Sequence, residues 1–207
     1  MKVLLIQENG HHDKNRKFRE CFSLQRSFSK LGKYDNLLHS TKDFVTEEHH
    51  TWFPNGFDDS LIKPIPMEKT INIGFCGNYV NRKSILEYLE SAYGLHLDIF
   101  VIGDDMVKAI NSYKCHFNLN IGNDINYRSF ETIGCETLLL TNYNHQYEEL
   151  GFEHEVNCLM YNNQEELISL INKIKNEDLS EISSRGYELS KKHTYDERVE
   201  FLIGELK

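Results

Sequence analysis

Arg128 and Glu131 stand three residues apart in the segment Asn126-Tyr-Arg-Ser-Phe-Glu-Thr-Ile-Gly-Cys135, just ahead of the apolar run Thr137-Leu-Leu-Leu-Thr141. At that spacing two side chains share one face of a helix. A carboxylate in such a place can take the two hydroxyls of a ribose, and an arginine can take a phosphate. The same spacing also suits an ordinary surface ion pair, which contributes little. A second candidate is Ile73-Gly-Phe-Cys-Gly77-Asn-Tyr-Val-Asn-Arg82-Lys83, which reads as a strand, a glycine turn and a helix start bearing two cations. Gly77 would let a ligand approach the backbone, and open amides at a helix N-terminus favour anions. Arg82 and Lys83 are then placed to neutralise a diphosphate, although solvated charges on a Rossmann-like turn suit the same residues. His11 and His12 follow the first apolar run, at the sheet edge where parallel sheets place ligands, and a histidine there can act as general base toward a hydroxyl. Loop polarity is the plainer account of them, and of His49 and His50. His193, before Thr194-Tyr195, reads as a capping or packing residue, and Asp104 and Asp105 read as a helix start.

These residues need a scaffold, and the hydrophobic pattern supplies one. Residues 2–7 form a short apolar run, and Phe18, Phe22, Leu24, Phe28 and Leu31 recur at roughly helical spacing before Gly32. Residues 39–51 carry no clear period. Thr51-Trp-Phe-Pro-Asn-Gly-Phe-Asp58 reads as a short strand entering a turn, because Pro-Asn-Gly is strong turn chemistry. From residue 71 the rhythm is regular. Strands are expected near 71–76, 97–102, 115–121, 137–141 and 157–161, and helices near 81–92, 104–113 and 127–134. A helical turn at 147–151 and three closing helices near 163–175, 178–191 and 195–205 complete the pattern. Runs apolar on both faces, alternating with helices, imply a parallel sheet covered on both sides.

Composition narrows the classes. The chain has 207 residues, 40% of them hydrophobic, and a formal net charge of -9; its mean hydropathy is -0.53. An acidic surface disfavours general nucleic-acid binding. No run approaches the ~20 apolar residues of a membrane span. The 5 cysteines are scattered, with no CxxC pair, so buried free thiols in a reducing cytoplasm are the plain reading. The first strand is not followed by GxGxxG or by a phosphoacceptor cluster, which sets aside dinucleotide redox and response-regulator folds.

Taken in order, several of these pieces resemble the nucleotide-sugar-binding half of a GT-B glycosyltransferase, closest to the group-1-like families that include CgeB. The pieces are Phe53-Pro-Asn-Gly-Phe-Asp58, Ile73-Gly-Phe-Cys-Gly77 with Arg82-Lys83, Asn118-Leu-Asn120, Tyr127-Arg-Ser-Phe-Glu131 with Gly134, Leu139-Leu-Thr141, and His193-Thr-Tyr-Asp-Glu-Arg198. The resemblance implies an α/β fold with a Rossmann-like parallel sheet over residues 71–207. A linker at 59–70 and an abbreviated N-terminal, acceptor-side β-α part at 1–58 would precede it. It also implies transfer of a sugar from a nucleoside-diphosphate donor to a hydroxyl acceptor, with no cofactor and no required metal. Arg82 and Lys83 would meet the donor diphosphate, Glu131 the ribose and Arg128 the phosphate or sugar side, with Gly77 backbone beside the donor. The family's first acidic position falls on Asn123, so the neighbouring Asp124 stands as its substitute. His11 or His12 would be the base of an inverting reaction. The alternative is a catalytically degenerate nucleotide-sugar-binding module, working as an oligomer or with a partner protein.

Overall fold

A computed structural model describes residues 37–39, 50–122 and 124–205. The apolar run at 2–7, the helical pattern at 18–31, and His11, His12 and His49 lie outside the described residues. Two short parallel strands come first, β1 (Leu37–His39) and β2 (His50–Trp52). The rest follows the predicted alternation: β3 (Ile71–Gly77), α1 (Lys83–Tyr93), β4 (His96–Ile99), α2 (Asp104–Ser112), β5 (Tyr113–Asn118) and α3 (Tyr127–Gly134). Then come β6 (Leu138–Asn142), α4 (Gln146–Glu149), β7 (Leu159–Tyr161), α5 (Gln164–Asn176), α6 (Ser180–Ser190) and α7 (Tyr195–Glu205).

β3 to β7 form one five-stranded sheet, all parallel, in the order β4-β3-β5-β6-β7. This is the covered parallel sheet expected from the apolar runs. In β6, Leu138 and Leu140 enter one core and Leu139 the other, which is the period-2 alternation of a strand buried on both faces. The layer with Leu86, Leu89, Leu167 and Ile171 carries α1 and α5; the layer with Val107, Ile110, Phe130, Ile133 and Leu189 carries α2, α3 and α6.

Local chemistry sets the helix ends. Asn126 caps α3 by accepting from the Arg128 amide at 2.9 Å, and Asn163 caps α5 through the Glu166 amide at 3.0 Å. Gly94 ends α1 at φ 72°. α2 begins at Asp104, as expected, after an entry turn at Gly103 with φ 67°. Other boundaries move from their predicted places: β4 ends at Ile99 rather than near 102. β5 starts at Tyr113 and ends at Asn118, since the next residues turn away to join a polar loop. Residues 63–65 are tied down by Asn111, whose Nδ2 donates to the Lys63 carbonyl (3.1 Å) and whose Oδ1 accepts from the Ile65 amide (2.8 Å).

The segment at Pro54–Asp58 meets the residues that close the chain. Phe57 donates its amide to His193 (3.3 Å) and accepts from Tyr195 (2.9 Å). Arg198 donates to the carbonyls of Pro54 (3.2 Å) and Asn55 (3.4 Å) and to His193 Nδ1 (2.6 Å). Burial, and then Arg198, lower the His193 pKa to about 3, so this histidine is a neutral packing residue, in agreement with its sequence reading. The Phe57 ring sits against Gly134, where any Cβ would come within 2.6 Å of it.

Candidate functional site

The chain leaves β3 for β4 on one side, then crosses to β5 on the other, so the sheet has its topological switch point between β3 and β5. Ligands of open parallel sheets sit at the carboxyl ends of strands at such a point. Here the two strands part. β3 stays paired with β4 as far as Gly77 and Ile99, but its pairing with β5 stops at Gly74 and His116. Beyond that register the Cys76 amide donates to the His116 ring at Nε2, 3.1 Å away, instead of to a strand carbonyl. His116 is fully buried, and burial, followed by the charge of Arg128, holds its pKa well below the usual histidine range. Because Nε2 accepts, Nδ1 carries the proton and donates to Thr132 Oγ1 at 2.5 Å. Thr132 in turn donates to the Arg128 carbonyl at 2.7 Å. The histidine therefore wedges the strand ends apart and ties them to the first turns of α3.

Arg82 spans the resulting crevice. Its Nε donates to the Leu119 carbonyl (2.9 Å) on one lip and its Nη1 to the Asn78 carbonyl (3.2 Å) on the other. Burial, and then the nearby charge of Arg128, lower its pKa. Two guanidiniums thus lie within electrostatic reach of each other at this edge. One is matched: Arg128 Nη1 lies 2.5 Å from Glu131 Oε2, with side-chain exposures of 11% and 8%. This pair is buried, unlike the surface pair that spacing alone allowed, and Arg128 also touches the Met106 sulfur. Arg82 has only neutral carbonyl partners among the described residues. Lys83, the first residue of α1, is mostly exposed, lies 3.6 Å from Glu87 and faces the Tyr79 ring at 6.0 Å. Gly77 ends β3, and a Cβ there would meet the Phe75 ring at 3.3 Å.

Between β5 and α3 the loop 119–126, which carries Asp124, is fastened by amide side chains. Asn126 donates to Asn120 Oδ1 (2.9 Å) and Asn118 Oδ1 (3.2 Å), and Asn118 donates to Ser129 Oγ (3.0 Å). Asn120 donates to the Tyr147 hydroxyl (2.7 Å), and its own amide donates to Asn142 Oδ1 (2.8 Å). Asn55 of the turn segment reaches the same loop, donating to the Ile125 carbonyl at 3.0 Å. Among these residues the sequence reading singled out Asn118 and Asn120 as motif members. It missed His116, Asn126, Asn142 and Tyr147, whose partners are 2 to 40 residues away and leave no local signature. It also missed Gln146, whose Nε2 is buried at the start of α4 without a hydrogen-bond partner among the described residues. Exposed apolar side chains fringe this edge: Val80, Phe100, Ile121 and Tyr143 on successive loops, and Tyr127 at the start of α3. Among the described residues, no three His, Cys, Asp or Glu side chains gather to hold a metal ion. No described helix is long and apolar enough to cross a membrane.

A parallel sheet flanked by helices, with a polar crevice at its switch point, defines a Rossmann-like α/β protein. Residues 60–204 match the model of the glycosyl transferase-like family, and the chain belongs to that family. Solved structures agree in fold. HepE of Anabaena, in complex with UDP-glucose, is 12% identical with a TM-score of 0.62, covering 88% of this chain and 67% of that one. Sucrose-phosphate synthase from Thermosynechococcus elongatus is 11% identical with a TM-score of 0.61, covering 88% and 60%. The C-terminal domain of the group 1 family glycosyl transferase LpcC from Francisella tularensis is 10% identical with a TM-score of 0.52, covering 66% and 97%. The chain thus spans about two thirds of the HepE structure and nearly all of the LpcC domain. No curated protein matches it in sequence.

Proposed function

We propose that the crevice between β3 and β5 binds a nucleoside-diphosphate sugar and that the protein transfers the sugar to a hydroxyl acceptor. The observation that carries this reading is the pairing of two arginines at the switch point, of which Glu131 neutralises one and, among the described residues, only carbonyls meet the other. An unmatched, half-buried guanidinium favours an anion. Arg82, with Lys83, receives the diphosphate. Glu131, held in place by Arg128, accepts from the ribose hydroxyls, and the Gly77 backbone lies beside the donor. Asp124, on the fastened loop, faces the sugar side. The apolar rim suits a flat base. A UDP-sugar bound to HepE supports the same donor class.

In the transfer, the bond from the anomeric carbon to the diphosphate oxygen breaks and its electron pair stays on the diphosphate. A new bond forms from the acceptor oxygen to that carbon. Arg82 and Lys83 stabilise the charge that builds on the leaving group, and no metal is required. The acceptor proton goes to His11 or His12 in an inverting reaction. Within the family the motif order is that of the CgeB-like group, with residues 1–58 on the acceptor side.

The test is a thermal-shift panel of UDP, GDP, dTDP, ADP and their sugar conjugates, followed by turnover with whichever conjugate binds. A ligand at 100 times its dissociation constant adds about 2.7 kcal/mol. One nucleotide should shift the wild type, and the shift should shrink in Arg82→Met and Glu131→Gln. Silence across the panel rejects the donor site; binding without transfer leaves a nucleotide-sugar-binding module.

A further inference from the structure

At the opposite, amino edge of the sheet lies a cleft of about 450 Å³, within the size range of small-molecule sites. It is bounded by the residue run before β3, the starts of β5 and β6, the end of α5 and the first turns of α6. Its apolar wall is Leu138, Ile174 and Leu179. Lys69, Lys114 and Lys175 are its cations; Lys175 lies over the Tyr93 ring at 5.6 Å, which leaves Lys69 and Lys114 at the apolar wall. Both lysines line the same cleft, Lys69 from the run before β3 and Lys114 from the start of β5, strands that pair at Ile71 and Tyr113.

Lys69 is in an unusual position for an ammonium. Its Nζ donates to Thr137 Oγ1 (2.7 Å) and to the Asn111 carbonyl (3.3 Å), both neutral acceptors. No carboxylate lies within ion-pair distance of Lys69 or Lys114 among the described residues. Three acids line the cleft, Glu136, Glu177 and Asp178; Asp178 accepts from the Ser180 amide (3.0 Å), and Glu136 is turned to α6. Its Oε1 accepts from Ser184 Oγ (3.0 Å), and its carbonyl accepts from Ser183 Oγ (2.7 Å). Burial lowers the Lys69 pKa and outweighs the nearby Glu136 charge, which opposes the shift. An ammonium has three donors, and two of those on Lys69 are used.

We infer that this cleft is a second ligand site, remote from the nucleotide crevice, for a small organic anion with an apolar body. The acid group sits on Lys69 and Lys114, and the body lies on Leu138, Ile174 and Leu179. The chemistry that suits it is a phosphate monoester or carboxylate carried by a flat or branched hydrocarbon.

The full chain, labelled with nitrogen-15, would be titrated with phenyl phosphate, phenol and inorganic phosphate, following the backbone amides. Phenyl phosphate should bind roughly tenfold more tightly than phenol, as expected for hydrogen bonds to a charged group. The amides that move should be those of 69, 114, 138 and 174–184. Lys69→Met and Lys114→Met should each reduce the preference for the phosphate ester and leave phenol binding unchanged, and Ser184→Trp should block both ligands by filling the cleft. If Lys69→Met does not fold, the other two variants carry the test. Equal affinity for phenyl phosphate and phenol, no binding of any probe, or shifts centred on residues 77–82 and 128–131 would each overturn the inference. UDP measured separately in the same spectra reports on the other edge, so failure of either site leaves the other judged on its own.

Discussion

Removing one hydroxyl tests whether the amide cluster behind the crevice is a structural clamp. Tyr147→Phe keeps a fully buried ring and its edge contact with Phe152, whose centroid is 4.9 Å away, so the change isolates the oxygen. That oxygen accepts from Asn120 Nδ2 at 2.7 Å and meets Ser129 Oγ at 2.7 Å and Thr141 Oγ1 at 3.2 Å. A phenol has one hydrogen and two lone pairs, which matches three partners. None of the three is orphaned by its loss. Asn120 Nδ2 still reaches Thr141 Oγ1 at 3.2 Å, and Ser129 Oγ still accepts from Asn118. The cost is therefore that of two good bonds and one weak one, about 2 kcal/mol in sum. Urea denaturation should show this as a lower midpoint with an unchanged slope. A cycle with Ser129→Ala should give a coupling of about 1 kcal/mol, because the two oxygens share a bond. The loop that carries Asp124 would be loosened as well, so UDP should bind more weakly to the variant. A stability loss under roughly 0.5 kcal/mol, or additive single changes, would show that the cluster is not a clamp.

Three further outcomes follow from the geometry. Gly134→Ala should destabilise the protein by about 1–3 kcal/mol through overpacking against Phe57, and Phe57→Leu in the same chain should restore part of it; full additivity of the two changes would disprove that contact. Stability should fall as the pH drops below the ordinary histidine range. His193, at about 3 when folded, and the still more buried His116 both bind a proton more readily unfolded than folded. Both lose their contribution as pH falls below 6.5, and for His193 the loss is roughly 2 kcal/mol by pH 5. His193→Gln should flatten part of that slope in acid-titrated melts, and a slope unchanged in the variant contradicts the assignment. Cys76, Cys115, Cys135 and Cys158 are buried free thiols, and burial pushes Cys76 up to about 11 and Cys135 and Cys158 to about 12. Native protein at pH 8 should therefore leave these four unreactive toward a disulfide reagent until urea is added; rapid labelling of any of them in the folded state would refute their placement.

Much of the fold was legible because burial on both faces of a parallel strand writes a continuous apolar run, as in Leu138-Leu-Leu140. Helix α3 was legible as a short helical stretch at 127–134, whereas its cap, Asn126, was not read from the sequence. Boundaries slipped where a residue answered to a distant partner: β5 stops at Asn118 because Asn120 turns to Asn142 and Tyr147. At the candidate site the sequence brought forward Gly77, Arg82, Lys83, Arg128 and Glu131 by type and spacing, and Asp124 through the family resemblance. It could not say that Arg128 and Glu131 are buried together while Lys83 stays in solvent, since exposure depends on what α2 and β3 place over each of them.

By itself the amino-acid sequence determined the alternation of elements, the parallel sheet and the residue types at its carboxyl edge, all of which depend on periods of two to four residues. Only the tertiary structure decided that His116 would part β3 from β5, that Arg82 would bridge the opening, and that the Pro54–Asp58 turn would lock onto Arg198. Those arrangements join residues far apart in the chain, and hydrogen-bond geometry among such residues is set only when the chain is folded.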